Sequence, residues 1–174
     1  MPLPIAHGLF GAGVVAALHP QPFRRGGLPL LAGAALANCA DLDFGLVLLT
    51  HDKSWHRGFT HSLVFSLLLI AAALAVWGGT RLLEVLAYGA CYTSHALLDY
   101  STTKLGGGVK LLWPFSRERF GLRLWGLSEL PSRLPPVEVL RWLAVEFLIF
   151  APPLLILLLL RRRHAKTSAL PGVK

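Results

Sequence analysis

An all-α, multi-pass membrane protein is the fold class that this sequence predicts, and three observations carry the expectation. Hydrophobic residues make up 54% of the 174 residues and charged residues only 15%. The apolar residues gather into runs approaching the roughly 20 needed to cross about 30 Å of hydrocarbon. Basic residues stand at the ends of those runs, as in Arg24-Arg25, Arg81 and Arg161-Arg162-Arg163, where they anchor to anionic headgroups.

Five segments follow, in a single membrane domain over residues 1–174, and they predict four to five transmembrane helices. The first, about 5–19, is short for a span. Residues 1–6 contain no Lys or Arg, so it reads as a retained helix rather than a signal peptide. The second, about 27–50, is broken by Asp41 and Asp43. The third, about 60–77, runs without a charge from Leu63 to Trp77 and stops at Gly78-Gly79. The fourth, about 82–100, carries His95 and Asp99 near its end. The fifth, about 137–160, contains Pro152-Pro153, which predicts a kink. A basic tail follows over 161–174. The loop 101–136 mixes Lys104, Lys110, Arg117, Arg119, Arg123 and Arg133 with Trp113 and Trp125. That composition suits the headgroup layer and the role of a cap over a site.

The net charge of +8 does not point to nucleic acid, because the basic residues form no stripe interleaved with aromatics. Cys39 and Cys91 lack a CxxC spacing and read as small hydrophobes. Equal numbers of basic residues on the two predicted faces leave orientation open, with a lean toward the C-terminus inside.

The chemistry-bearing residues form three clusters: Asp41-Leu42-Asp43, His56-Arg57-Gly58-Phe59-Thr60-His61, and His95 with Asp99. An ionisable group at the centre of a membrane helix costs roughly 2.5–3.5 kcal/mol on insertion scales, so it requires a partner, a cavity or an ion. Threading the chain brings His7, Asp41, Asp43, His56, His61, His95 and Asp99 to one membrane face. His95 and Asp99 are four apart, with Cβ atoms about 6 Å from each other on a helix. Mixed imidazole and carboxylate donors suit zinc first, then manganese or iron, over calcium. The expected metal ligands are His7, Asp43, His56, His61, His95 and Asp99. Arg57 is assigned to an anionic substrate group and Asp41 to catalysis, although the spacing leaves open which of Asp41 and Asp43 is the ligand. His51 lies beside the cluster as a loop residue, and His19 and His164 fall on the opposite face.

These clusters, in this order and together with Leu111-Leu112-Trp113-Pro114, resemble the YdjM-like family of inner-membrane proteins over roughly residues 5–120. The resemblance implies a multi-pass protein of the bacterial inner (plasma) membrane and a membrane-bound, metal-dependent hydrolase. Two positions depart from the family pattern: Ala40 stands where Pro is usual before Asp-x-Asp, and Phe44 where His often follows. The order of ligands also looks like part of the series in zinc-dependent phospholipase C, although two later motifs have no counterpart.

The functional expectation is hydrolysis of an ester or phosphodiester in a lipid or lipid-linked substrate at the membrane surface, with membrane lipids as partners. The alternatives are an ion- or proton-coupled transporter using the His/Asp cluster as a relay, and a non-catalytic membrane partner protein. A transporter often carries an internal repeat, and none is visible.

Overall fold

The computed structural model describes residues 2–102, 107–122, 124 and 136–167. Lys104, Gly106, Arg123, Trp125, Arg133 and the end of the basic tail, 168–174, lie outside the described residues. Among the described residues six α-helices form: α1 (Pro4–Leu18), α2 (Leu28–Leu36), α3 (Phe44–Thr50), α4 (Leu63–Trp77), α5 (Leu82–Thr102) and α6 (Pro136–Thr167). No strand forms among the described residues; the nearest approach is one antiparallel bridge between Val109 and Phe120.

Local chemistry explains where the helices begin and end. Pro4 occupies the first turn of α1, where its missing N–H is no loss. His19 is extended, as expected before Pro20, and the helix ends there. Ser62 caps α4 by accepting the N–H of Phe65 at 3.1 Å, and Gly78 ends that helix at φ +70°.

Helices α1, α2 and α5 pack closely because small residues face one another. A Cβ on Gly11 would fall 2.4 Å from that of Ala37, and one on Gly33 would fall 2.5 Å from Val15 Cγ2. Cys91 sits between the three helices and donates its thiol to the Gly33 carbonyl at 3.0 Å. Close approach of this kind is how helices associate in lipid, where hydrocarbon offers no hydrophobic drive. Cys91 therefore packs as the small residue expected of it. The outer surface is apolar, with Leu31, Leu48, Leu67, Val76, Leu148 and Ile156 exposed, while His7, Asp43, His61, His95 and Asp99 are buried. This inversion suits a lipid surround.

The longest apolar element is α6, and its Val137–Ala165 stretch can cross a bilayer by itself. Two bent pairs bring the total to as many as three: Arg24–Leu36 with Cys39–Thr50, bent by 43°, and Lys53–His61 with Leu63–Trp77, bent by 50°. Length and composition thus support one to three spans against the four to five expected. The physical reason is the site itself. It interrupts the second and third segments with turns and loads α5 with polar residues. α1 is apolar but only 15 residues long. α6 also runs further than expected, through both prolines and the arginine triplet to Thr167.

α6 lies alongside α1 and runs in the same direction. Glu146 accepts the Leu3 N–H at 2.6 Å and the Ala6 N–H at 3.3 Å, closing the start of α1. Arg161 donates to the carbonyls of Ala16 at 2.9 Å and His19 at 2.8 Å, closing its end. Backbone groups at both ends of α1 are thus met by one neighbour.

Candidate metal centre

Four separate pieces of chain build the site. His7 comes from the first turns of α1. Asp41 and Asp43 come from the tight 3-10 turn Cys39–Asp43 between α2 and α3. His56, Arg57, Thr60 and His61 come from the irregular stretch before α4, and His95 and Asp99 from one face of α5. Gly58 is required in that stretch: a Cβ there would fall 2.5 Å from the Trp55 carbonyl oxygen. Arg57 takes a left-handed backbone at φ +56°, unfavourable for a residue with a side chain. Three contacts hold it there. Its N–H donates to Asp43 Oδ2 at 2.9 Å, its carbonyl accepts from Lys110 at 3.1 Å, and its Nε lies 3.2 Å from Asp99 Oδ2.

All eight residues singled out in the sequence therefore meet in one place. His61 Nε2 and His95 Nε2 approach the same oxygen, Asp41 Oδ1, at 3.5 and 3.4 Å. His7 Nε2 lies 3.5 Å from Asp99 Oδ1, and its ring stacks on that of His95 at 3.8 Å between centroids. His56 Nδ1 lies 3.1 Å from Asp43 Oδ1. His51 is exposed at the end of α3 and takes no part. His19 lies at the far end of α1, where its Nδ1 accepts the Gln21 N–H. His164 is exposed on α6.

Hydrogen bonds on the outer side of the site assign the tautomers. His95 Nδ1 is 2.6 Å from the Ala37 carbonyl, which can only accept, so Nδ1 carries the proton. Thr60 donates its hydroxyl proton to Asp43 Oδ2 at 3.0 Å and so can only accept from His61 Nδ1, also at 3.0 Å. In the neutral form of both rings, Nε2 is then the nitrogen with the lone pair, and it faces Asp41. Pinning an imidazole through its other nitrogen is the usual way a protein prepares a metal ligand.

Buried polar atoms are nearly always hydrogen-bonded, and the exceptions here cluster. His7 Nδ1 and Nε2, Asp41 Oδ1, His61 Nε2, His95 Nε2 and both Asp99 oxygens are buried without a hydrogen-bond partner. Asn38 Oδ1 and Arg57 Nε share that condition. Most of these atoms are acceptors that repel one another at the distances found. A cation reverses the sign of those interactions, so the donor set fits a divalent metal. Among the described residues, three overlapping groups have ligand atoms within 4.8 Å of each other: His7, His95 and Asp99; Asp41, His61 and His95; and Asp41, Asp43 and His56.

The described part of the long loop lies against this stretch, as a cap would. Leu111 accepts the Leu63 N–H at 3.0 Å. Arg119 donates to the carbonyls of Ser54 at 3.1 Å, His56 at 3.0 Å and Gly108 at 3.1 Å. Burial lowers the proton affinity of Arg119, and the nearby Arg57 cation lowers it further. Arg57, Lys110 and Arg119 thus gather positive charge beside the carboxylates.

Sequence reading missed Thr60, the Ala37 carbonyl, Arg119 and Tyr92, whose hydroxyl donates to the Thr60 carbonyl at 2.8 Å. Thr60 stood inside the His56–His61 motif and could have been found as a hydroxyl adjacent to a candidate ligand. A backbone carbonyl leaves no such mark.

Comparison with known proteins finds inner-membrane proteins. Inner membrane protein YbcI of Escherichia coli (strain K12) is 40% identical over 100 residues, covering 52% of this chain and 56% of that protein. The match thus takes in little more than half the length of that curated relative. No solved structure matches. The YdjM inner membrane protein family matches residues 1–167, a stretch that contains every site residue described above. The chain belongs to the YdjM inner membrane protein family.

Proposed function

We propose that the chain is a membrane-bound, metal-dependent hydrolase cleaving an ester or phosphodiester of a lipid or lipid-linked substrate. The observation that carries this reading is the pair of imidazoles, His61 and His95, whose Nε2 lone pairs face Asp41 Oδ1 while their Nδ1 atoms are held from behind. Three carboxylates, Asp41, Asp43 and Asp99, converge on the site, and Arg57, at Asp99, is the guanidinium in direct contact with them. An uncompensated buried charge is strongly destabilising, and a dication neutralises it.

In this reading His7, Asp41, His61, His95 and Asp99 hold the metal, zinc by preference, as one ion or two. A bound divalent cation supplies Lewis acidity and brings the pKa of a water toward about 7. Asp43 acts as the orienting carboxylate, since its oxygens already engage His56, the Arg57 N–H and the Thr60 hydroxyl. This reading makes Asp41 a ligand where catalysis was expected, and makes Asp43 and His56 supporting groups where ligands were expected. His56 is the imidazole with access to solvent, its side chain 18% exposed against 0% for His7, His61 and His95. Held by Asp43, it takes up and returns the proton during hydrolysis. Arg57 presents its remaining guanidinium N–H groups to an anionic oxygen of the substrate.

Metal analysis of the detergent-purified protein tests the reading, followed by hydrolysis assays on phospholipids and a chromogenic phosphodiester. Stoichiometric Zn, Mn or Fe that is lost in His61→Ala and Asp99→Ala supports it. Metal-free wild type, or metal content unchanged in both variants, overturns it.

A further inference from the structure

Helices α2 and α4 both pack on α5 but barely touch each other, and the space between them is an apolar groove of about 630 Å³. Its walls include Leu36, Ile70, Ala73, Val85, Tyr88 and Tyr92, with Arg81 and Glu84 at the end far from the site. We propose that this groove holds one hydrocarbon chain of the substrate lipid, with the hydrolysable headgroup at the His/Asp site. The proposal rests on the hydrolase reading above and adds the substrate's apolar half.

Three features of the groove argue for that occupant. First, it ends one side chain from the site, at Tyr92. Tyr92 lines its inner end and donates to the Thr60 carbonyl, while the Thr60 hydroxyl is bonded to Asp43 and His61. His95 lies one helical turn beyond Tyr92, and Leu36 directly precedes Ala37, whose carbonyl holds His95. Second, the length fits. Arg81 and Tyr92 are eleven residues apart, a rise of about 16 Å on a helix, close to half of the roughly 30 Å hydrocarbon core. Third, the charge is divided correctly. The site end carries Arg57, Lys110 and Arg119 for an anionic headgroup, while the groove walls between Tyr92 and Glu84 are almost wholly apolar. A lipid phosphate held by Arg57 would leave its chain directed along α5, away from the site.

A second apolar cavity, about 670 Å³ between α1, α6 and the end of α5 and lined by Phe10, Val14, Leu98, Phe150 and Leu154, provides an internal control. The test uses the full chain in detergent with phosphatidylglycerol carrying a diazirine in its palmitoyl chain. Photolabelled residues are mapped by mass spectrometry. Label should concentrate on the walls formed by α2, α4 and α5. Ala73→Phe and Ala32→Phe, which fill the groove from opposite walls, should each lower that labelling at least about tenfold, since each methylene shut out weakens binding roughly fourfold. Labelling between α1 and α6 and the metal content should not change. Arg57→Gln should lower groove labelling as well, because it releases the headgroup.

Equal labelling of both cavities, or groove labelling indifferent to Ala73→Phe and to Arg57→Gln, overturns the proposal and marks the groove as ordinary lipid-facing surface. These readouts need no turnover. A protein that labels as expected but hydrolyses nothing contradicts the hydrolase reading alone, whereas one that hydrolyses diesters without groove labelling contradicts this inference alone.

Discussion

His95 donates its Nδ1 proton to the carbonyl of Ala37 across 2.6 Å, tying the α5 face of the site to the point where α2 ends. The bond fixes which nitrogen is free, and the predictions about metal follow from it and from its counterpart at Thr60.

Thr60→Val should keep the fold and lower metal affinity about 10- to 100-fold, because His61 loses the acceptor that orients its ring. Competition with a chelator measures this. Affinity equal to wild type would mean that Thr60 does not prepare His61.

Asp41→Asn and Asp43→Asn should differ. The first removes an oxygen that both free Nε2 atoms face, and metal should be lost. The second disturbs the contacts to His56, Arg57 and Thr60, and should weaken metal binding while leaving metal detectable. The reverse order of effects, read by elemental analysis of both variants, would restore Asp43 as the principal ligand.

Acidification should release the metal. Imidazole and carboxylate ligands bind in their deprotonated forms, so protons compete and retention falls as pH drops. Dialysis over a pH series gives the curve. Retention that is flat across the range in which imidazoles titrate contradicts a histidine-ligated ion.

Gly33→Ala should lower stability by about 1–3 kcal/mol, since its new methyl meets Val15 at 2.5 Å in a contact with little room to relax. Thermal unfolding in detergent reads the loss. A midpoint unchanged from wild type would show that α1 and α2 can separate at no energetic cost.

Glu146→Gln should lower stability by about 1–2 kcal/mol, because a charge-assisted bond to the buried Leu3 and Ala6 N–H groups becomes a neutral one. The same unfolding assay applies. Here the informative comparison is Glu138→Gln, a residue near the outer end of α6 that should change little.

Much of the site was legible on the premise that successive apolar runs alternate in direction. His7 at the start of one apolar run, Asp41 late in the next, His61 before the third and His95 late in the fourth must share a face if the runs alternate. The division of labour between Asp41 and Asp43 was not legible. It depends on the 3-10 turn Cys39–Asp43, which turns Asp43 toward the stretch around His56 and Asp41 toward His61 and His95. A regular helix would have separated two residues spaced in this way. Arg119 was invisible as a support for the same reason as Ala37: its partners are backbone carbonyls, which every residue carries. The number of spans is not fixed by counting apolar runs, because the turns at the site bend two of the runs by 43° and 50°.

Glu146 and Arg161 grip α1 at both ends, and α6 is the element with the strongest claim on the bilayer. Vertical position in the membrane is thereby passed from one helix to another. When lipids thicken or thin, α6 adjusts its tilt, and α1 must follow because it is fastened at two heights. His7, near the upper fastening, then moves relative to α5, which α6 does not hold in the same way. Bilayer thickness is then expected to act on the proposed metal site, to be read as a difference in affinity between short-chain and long-chain lipid that Glu146→Gln reduces. Equal affinities in the two lipids would show that the coupling stops at α1.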